Sequence, residues 1–193
     1  GLSITMPHKF DVAQLVDRLE PAARALDAVN TVSWDDGKLV GSSTDGAGFV
    51  ASLAETGVEV ADAHIAVIGA GGAARSVIDA LGRAGAAEIT VLNRTQDRAE
   101  RAAALSGVAT VGIVSDVSRA DIVVNATSVG MGVEPGDATS VDMACDPSLL
   151  RVGQIVADLV YSPLETAWML AAVDAGATTI NGLGMLVHQA ALQ

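Results

Sequence analysis

The run Ile65-Ala66-Val67-Ile68 passes directly into Gly69-Ala70-Gly71-Gly72-Ala73-Ala74, and no other stretch constrains this chain as strongly. Four apolar residues without polar alternation describe a strand buried on both faces, as in parallel sheets. The glycines match G-x-G-x-x-A, and Ala73 to Ala84 carry a helical pattern that stops at Gly85. A lone glycine motif is weak evidence. Strand, glycine turn and helix in this order are the context that makes it a dinucleotide loop. Gly69 permits the tight turn, Gly71 lets the backbone approach a pyrophosphate, and Ala74 keeps the helix close to the sheet. Ala70, Gly72 and Ala73 complete the loop, and the helix start offers free N–H groups to the phosphates.

The surrounding pattern extends the same architecture. Strands are expected at Glu88 to Leu92, Thr110 to Val114, Asp121 to Asn125, Gln154 to Leu159 and Thr178 to Ile180, with helices at Thr95 to Leu105 and Glu165 to Ala175. Alternation with short connections predicts an α/β fold, a Rossmann-type doubly wound parallel sheet. The first 44 residues read differently. A strand at 1–5, a helix from about 9 to 19, and a short helix from Pro21 to near Ala28 precede two strands around Asp35-Asp36-Gly37, a hairpin signal. Thr44-Asp45-Gly46 then caps a helix through about Glu55, with Gly57 as its stop. Residues 1–44 are therefore expected to form a smaller α/β substrate-binding lobe, completed by a returning helix at 182–193, with the cofactor domain at 45–181. Both termini read as cut from a longer chain, and the N-terminal part of the lobe is expected to be missing. The Asp-, Pro- and Gly-rich stretch from Gly132 to Pro147 reads as a mobile loop.

Half of the residues are apolar but only 3% are aromatic, so the core must be built from Ala, Val, Leu and Ile. A net charge of −12 argues against a nucleic-acid or anionic-membrane surface, so any anionic ligand must be held by a few local donors. Cys145 is the single cysteine, which excludes an internal disulfide and reads as a small buried hydrophobe. No signal peptide or membrane-length apolar run is evident, and the expected location is the cytoplasm. His8, His64 and His188 are too dispersed for a metal site, so no metal is expected. Trp34 and Trp168 are expected to be packing residues. The oligomeric state, monomer or homodimer, is open.

The second strand ends in Asn93-Arg94-Thr95, about 20 residues past the loop, where an acidic residue would bind the ribose hydroxyls of NAD. Arg94 stands there instead, with Arg98 a turn later. Guanidinium groups suit a 2′-phosphate, and Thr95 adds a hydroxyl, so NADP is the expected cofactor. Asn125-Ala126-Thr127-Ser128-Val129-Gly130-Met131 follows the next strong strand, and such strand ends border the ligand in open α/β sheets.

Three polar clusters flank this domain: Thr5-Met6-Pro7-His8-Lys9, Ala28-Val29-Asn30-Thr31 and Ser43-Thr44-Asp45-Gly46. With these, the chain resembles the shikimate dehydrogenase family along almost its whole length. Gly1 to Lys9 is similar to that family's G-x-[NS]-[VI]-T-x-P-x-K segment, Ala28 to Thr31 to its A-[VA]-N-T segment, and Thr44 to Gly48 to its N-T-D-x-x-G segment. The glycine loop through Arg75, the Asn93-Arg94-Thr95 turn and Asn125-Ala126-Thr127 follow its cofactor segments. Asp158-Leu159-Val160-Tyr161 with Pro163 and Thr166, and Gly182 through Ala190, resemble its two closing segments.

The resemblance implies reversible NADPH-dependent reduction of 3-dehydroshikimate to shikimate, in aromatic amino acid (chorismate) biosynthesis. It implies that Lys9 and Asp45 carry the proton chemistry, and which of the two moves the proton is left open. It further implies that Thr5, Asn30, Asp45, Tyr161 and Gln189 meet the substrate, and that Ala126, Thr127, Gly182 and Met185 lie against the cofactor. Two departures stand out. Ser43 replaces the family's usual Asn, and the paired serines that hold the substrate carboxylate have no counterpart in this stretch. Two rivals remain: a relative acting on quinate or an amino analogue, and a non-catalytic NADP-binding domain.

Overall fold

The computed structural model describes residues 1–5, 7–133 and 143–193. The first lobe contains β1 (Leu2–Ser3), α1 (Lys9–Ala13), β2 (Arg18–Leu19), α2 (Pro21–Leu26), β3 (Thr31–Asp35) and β4 (Lys38–Ser42). Its four-stranded sheet has the order β1-β3-β4-β2. The β3–β4 hairpin closes through Asp36 and Gly37 at φ 45° and 74°, the two left-handed positions of a type I′ turn.

Two expectations fail here. The helix predicted to reach residue 19 stops at Ala13, and Arg18–Leu19 pairs in parallel with β4. The free edge of β4 captures this segment. Asp17 N–H donates to Leu39 O at 2.9 Å, Glu20 N–H to Gly41 O at 2.9 Å, and Leu39 N–H to the Asp17 carboxylate at 2.8 Å. Trp34, expected to pack, is 69% exposed. It sits near the hairpin turn, beyond the lobe's small cluster of Ala13, Ala23, Val29 and Val32, so nothing described covers it.

The rest of the chain continues with α3 (Asp45–Glu55), β5 (His64–Ile68), α4 (Gly72–Arg83), β6 (Glu88–Leu92), α5 (Gln96–Ala103), β7 (Ala109–Val111), β8 (Ile122–Asn125), β9 (Ile155–Asp158), α6 (Ala167–Asp174), β10 (Thr178–Ile180) and α7 (Leu183–Ala191). The third strand of this unit ends earlier than expected, because the Asp116 carboxylate takes the Ile113 N–H at 2.8 Å and starts a 3-10 turn over Val114–Arg119. The six strands are all parallel and run β10-β9-β8-β5-β6-β7. Counted from β5, that is the 3-2-1-4-5-6 order of a dinucleotide-binding sheet. Part of the predicted loop, residues 134–142, lies outside the described residues, as does Met6.

Helices cover both faces, which explains the continuous apolar run in β5. Ile65 and Val67 pack with Val77, Ile78 and Leu81 of α4 and with Phe49 and Leu53 of α3. Ala66 and Ile68 face Trp168 and Ala172 of α6 on the other side. Cys145 lies in that second cluster, and burial pushes its thiol up to about 11, as expected of an inert structural cysteine. Glycines set the depth to which α3 sinks between its neighbours. A Cβ at Gly46 would overlap the Ser76 carbonyl of α4, and one at Gly48 would lie 2.6 Å from the Gln189 nitrogen of α7. Among the described residues no helix is long and apolar enough to cross a membrane.

Candidate active site

The sheet reverses direction of winding between β5 and β8, and the carboxyl ends of these strands open a crevice there. Gly69 lines it at φ 116°, a left-handed conformation, and a Cβ on it would meet Ala126 O at 2.9 Å. Gly71 and Gly72 are the opposite case. A Cβ on either would meet nothing within 4 Å, so the protein's own packing does not require glycine there. The bare backbone leaves room for a ligand to come close, at the first turn of α4, where N–H groups are free.

A cavity of about 280 Å³ opens over this loop, between Ala70, Gly71, Gly72 and the side chains of Phe10, Arg75, Arg98 and Arg101. Of these arginines, the sequence pattern points to Arg98 alone. Arg75 and Arg101 carry no role in it, although Arg75 follows the glycine loop and Arg101 stands at i+3 from Arg98 on α5. Phe10, next to Lys9, brings the first lobe to the cavity wall. Arg94 and Thr95 are exposed at the end of β6, and Arg94 does not line the cavity. Asn93 shapes their turn by donating its amide to Thr95 O at 2.9 Å. The Arg75 guanidinium reaches across to Leu26 O, at the end of α2, at 3.0 Å. Among the described residues its Nε is buried without a partner.

On the other flank of the crevice a polar relay ties the strand ends together. Thr166 Oγ1 donates to Asp158 Oδ2 at 2.8 Å, and Asn125 Nδ2 to Asp158 Oδ1 at 2.9 Å. Asn125 Oδ1 in turn accepts from the Thr127 N–H at 3.1 Å and hydroxyl at 2.7 Å. This relay fixes the Ala126–Thr127 loop relative to the segment bearing Tyr161. Asp158 is 1% exposed, and burial raises its pKa despite the Val160, Thr166 and Asn125 hydrogen bonds that pull it down. Tyr161 is half exposed at the end of β9. Gly182 must lack a side chain, since a Cβ there would overlap the Leu159 carbonyl. Met185 is buried in the larger core.

The third group joins residues distant in sequence. Lys9 Nζ contacts Asp45 Oδ2 at 2.6 Å, with side-chain exposures of 21% and 9%. Asn30, 1% exposed, sits beneath them. Its Nδ2 donates to Asp45 Oδ1 at 2.8 Å, to Thr44 Oγ1 at 2.9 Å and to Gln189 Oε1 at 3.3 Å, while its Oδ1 accepts from Thr44 N–H at 3.0 Å and Thr31 Oγ1 at 2.9 Å. The amide expected to meet substrate is therefore engaged within the protein at both ends. Thr44 differs from its expected capping role. It is the N-cap residue of α3, but its hydroxyl donates to Gln189 O at 2.9 Å instead of closing the helix. Thr5 is exposed just before α1, and its carbonyl accepts the His8 N–H at 3.0 Å.

A dinucleotide sheet of this order, with an open backbone cradle and a lysine–carboxylate pair that joins the first lobe to α3, defines a two-lobed nicotinamide-dependent oxidoreductase. Comparison with known proteins narrows the class. Residues 52–134 match the family model described as shikimate / quinate 5-dehydrogenase, and residues 1–32 match the shikimate dehydrogenase substrate binding domain. Shikimate dehydrogenase (NADP(+)) of Alkaliphilus oremlandii is 40% identical over 204 residues, covering 100% of this chain and 70% of that protein. The protein of the same name from Symbiobacterium thermophilum is 43% identical, covering 99% of this chain and 68% of its own length. The shikimate 5-dehydrogenase of Thermus thermophilus, solved in complex with NADP(H) and shikimate, superposes with a TM-score of 0.85 at 35% identity over 98% of this chain and 69% of that one. The chain belongs to the shikimate dehydrogenase family.

Proposed function

We infer that this chain catalyses the reversible NADPH-dependent reduction of 3-dehydroshikimate to shikimate. The observation that carries this reading is the Lys9–Asp45 pair at 2.6 Å, which joins Lys9 of the first lobe to the start of α3 in a fold that carries a dinucleotide loop. NADPH supplies the hydride, and its fit is supported by the open cradle at Gly71 and Gly72 and by the arginines above it. Gly69, Ala70, Gly71, Gly72 and Ala73 would hold the pyrophosphate. Asn93, Arg94, Thr95 and Arg98 would hold the adenosine ribose and its phosphate, and Ala126, Thr127, Gly182 and Met185 would border the nicotinamide. Residues 1–44 with 182–193 would act as the substrate lobe and 45–181 as the cofactor domain.

Hydride arrival at a ketone leaves an alkoxide, which needs a proton donor. Lys9 is the better placed of the two candidates. Both oxygens of Asp45 are already engaged, one by Lys9 and one by Asn30, whereas the Lys9 ammonium keeps donors to spare and is the more exposed partner. Lys9 therefore delivers the proton in reduction and removes it in the reverse direction, while Asp45 keeps it oriented. Thr5, Tyr161 and Gln189 meet the substrate beside this pair. Asn30 reaches substrate only by exchanging one of its internal bonds, and its main action is through Asp45 and Gln189.

The test is formation of NADPH, followed by its absorbance, with shikimate and NADP and then with quinate and with NAD. Turnover of shikimate with NADP well above the other combinations supports the assignment. Tight NADP binding with no turnover of either acid would overturn it and leave a cofactor-binding domain.

A further inference from the structure

Three guanidinium groups converge on one cavity in a chain that carries 23 acidic side chains against 11 lysines and arginines. Arg18, Arg83, Arg119 and Arg151 each have a carboxylate within ion-pair distance. Arg75, Arg98 and Arg101, which line the cavity, have none among the described residues. The carboxylates of α5 do not neutralise them: Glu100 accepts from Gln96 at 2.9 Å, and Asp97 makes no ion pair among the described residues. Arg75 and Arg101 are near enough to interact. Burial lowers the Arg75 pKa, Asp27 pulls it partly back up, and Arg101 adds a smaller lowering of its own. Like charges gathered around a concave space, one with a buried Nε that has no acceptor among the described residues, favour an anion placed between them.

We propose that Arg101 is a cofactor-specificity residue, which together with Arg98 grips the 2′-phosphate of the adenosine ribose. This rests on the NADP reading above and goes beyond the Arg94–Arg98 pair that the ribose turn suggests. Arg98 and Arg101 are three residues apart on α5, so both project from one side of the helix that follows the ribose-recognition turn. Arg75, anchored to Leu26 O at 3.0 Å, forms the opposite wall. It stands one turn into α4, next to the loop that would hold the pyrophosphate, and it shapes the field without having to move. Arg101 is free to fold onto the ligand, and Arg94 approaches the same phosphate only from outside the cavity.

The experiment is calorimetric titration of the intact chain with 2′,5′-ADP and with 5′-AMP, probes that differ only in the 2′-phosphate. Wild type is compared with Arg101→Ala and Arg101→Glu. The expected result is about a tenfold weaker 2′,5′-ADP affinity in Arg101→Ala, the loss of one charge-assisted bond, and a larger loss in Arg101→Glu. Affinity for 5′-AMP should stay unchanged in Arg101→Ala. Equal weakening toward both probes would overturn the proposal in favour of a general electrostatic effect, and unchanged 2′,5′-ADP affinity would overturn it outright. A wild-type chain that binds the two probes equally would overturn the NADP reading itself, which separates that failure from a failure of Arg101.

Discussion

The two sides of the crevice are built on opposite plans. Around Asn30 every polar group is matched: Lys9 with Asp45, Asp45 with Asn30, Asn30 with Thr31, Thr44 and Gln189. Over the glycine loop almost nothing is matched, and three arginines face a cavity without carboxylate partners among the described residues. The first side is rigid before any ligand arrives, because each unsatisfied group in so buried a network would cost about 1–3 kcal/mol. The second keeps its charges in reserve, at the exposed edge where water makes that tolerable. A site that must orient one proton needs the first plan. A site that must recognise a multiply charged cofactor and release it again is served by the second. Removing a group should therefore have different consequences on the two sides, in chemistry and stability on one and in cofactor affinity on the other.

The largest expected effect is on the first side. Lys9→Ala should lower turnover by about a hundred- to ten-thousandfold, the usual worth of a positioned general acid. NADP affinity, measured by titration, should stay within about twofold, since the ammonium belongs to the opposite lobe and pairs with Asp45. A parallel loss of NADP affinity would mean that the two plans are not separate. The reciprocal change is Gly71→Ala. Nothing lies within 4 Å of the added methyl and the backbone there is extended at φ −79°, so stability should change by only about 0.5 kcal/mol. NADP affinity should fall about ten- to a hundredfold, because the methyl occupies the space the pyrophosphate needs.

These two residues also mark where sequence was most informative. The glycine loop, its strand and its helix are local features, and the backbone chemistry of a phosphate turn is written in consecutive residues. The parallel sheet followed from alternation and short connections, and β6 and β10 were located to the residue. What sequence could not supply was side-chain assignment across long separations. The resemblance marked Asn30 as a candidate, but nothing local in the sequence showed that its amide would be consumed by Thr44, Asp45 and Gln189, which lie 14, 15 and 159 positions away. The short β2 was missed for a related reason. Arg18–Leu19 has no strand pattern of its own and becomes extended only because the edge of β4 accepts it. Arg101 was not singled out in the sequence, because its direction depends on how α5 sits against α4.

Packing supplies the next, smaller effect. Gly48 lets α3 approach α7 so closely that Thr44 and Asn30 reach Gln189. Gly48→Ala places a methyl 2.6 Å from a backbone nitrogen, which must move. Overpacking of this kind costs about 1–3 kcal/mol, or a melting temperature lower by about 2–4 °C per kcal/mol in a domain of this size. The informative readout is the KM for shikimate, which should rise as α7 carries Gln189 away, with NADP affinity unchanged. A loss confined to stability would mean that Gln189 does not meet the substrate.

The smallest effect lies where the two plans meet, at Asp158. Its carboxylate is buried at 1% exposure and its folded pKa is raised, with burial outweighing three hydrogen bonds. A raised carboxyl binds its proton more tightly in the folded than in the unfolded chain. Its contribution to stability is therefore fully present below the unfolded value, about 3.9, and declines as pH climbs from there to the folded value. Asp158→Asn removes that titration. It keeps an oxygen for the Asn125 and Val160 donors, and its new amide can donate to Thr166 Oγ1 once that hydroxyl turns. The melting temperature of Asp158→Asn relative to wild type should thus rise as pH moves upward from about 4, and level off once wild-type Asp158 is ionised. A difference that falls with pH would mean that the hydrogen bonds, and not burial, govern this group. In that case the relay holding the Ala126–Thr127 loop would belong with the fully compensated network around Asn30, and the contrast between the two sides would have its boundary elsewhere.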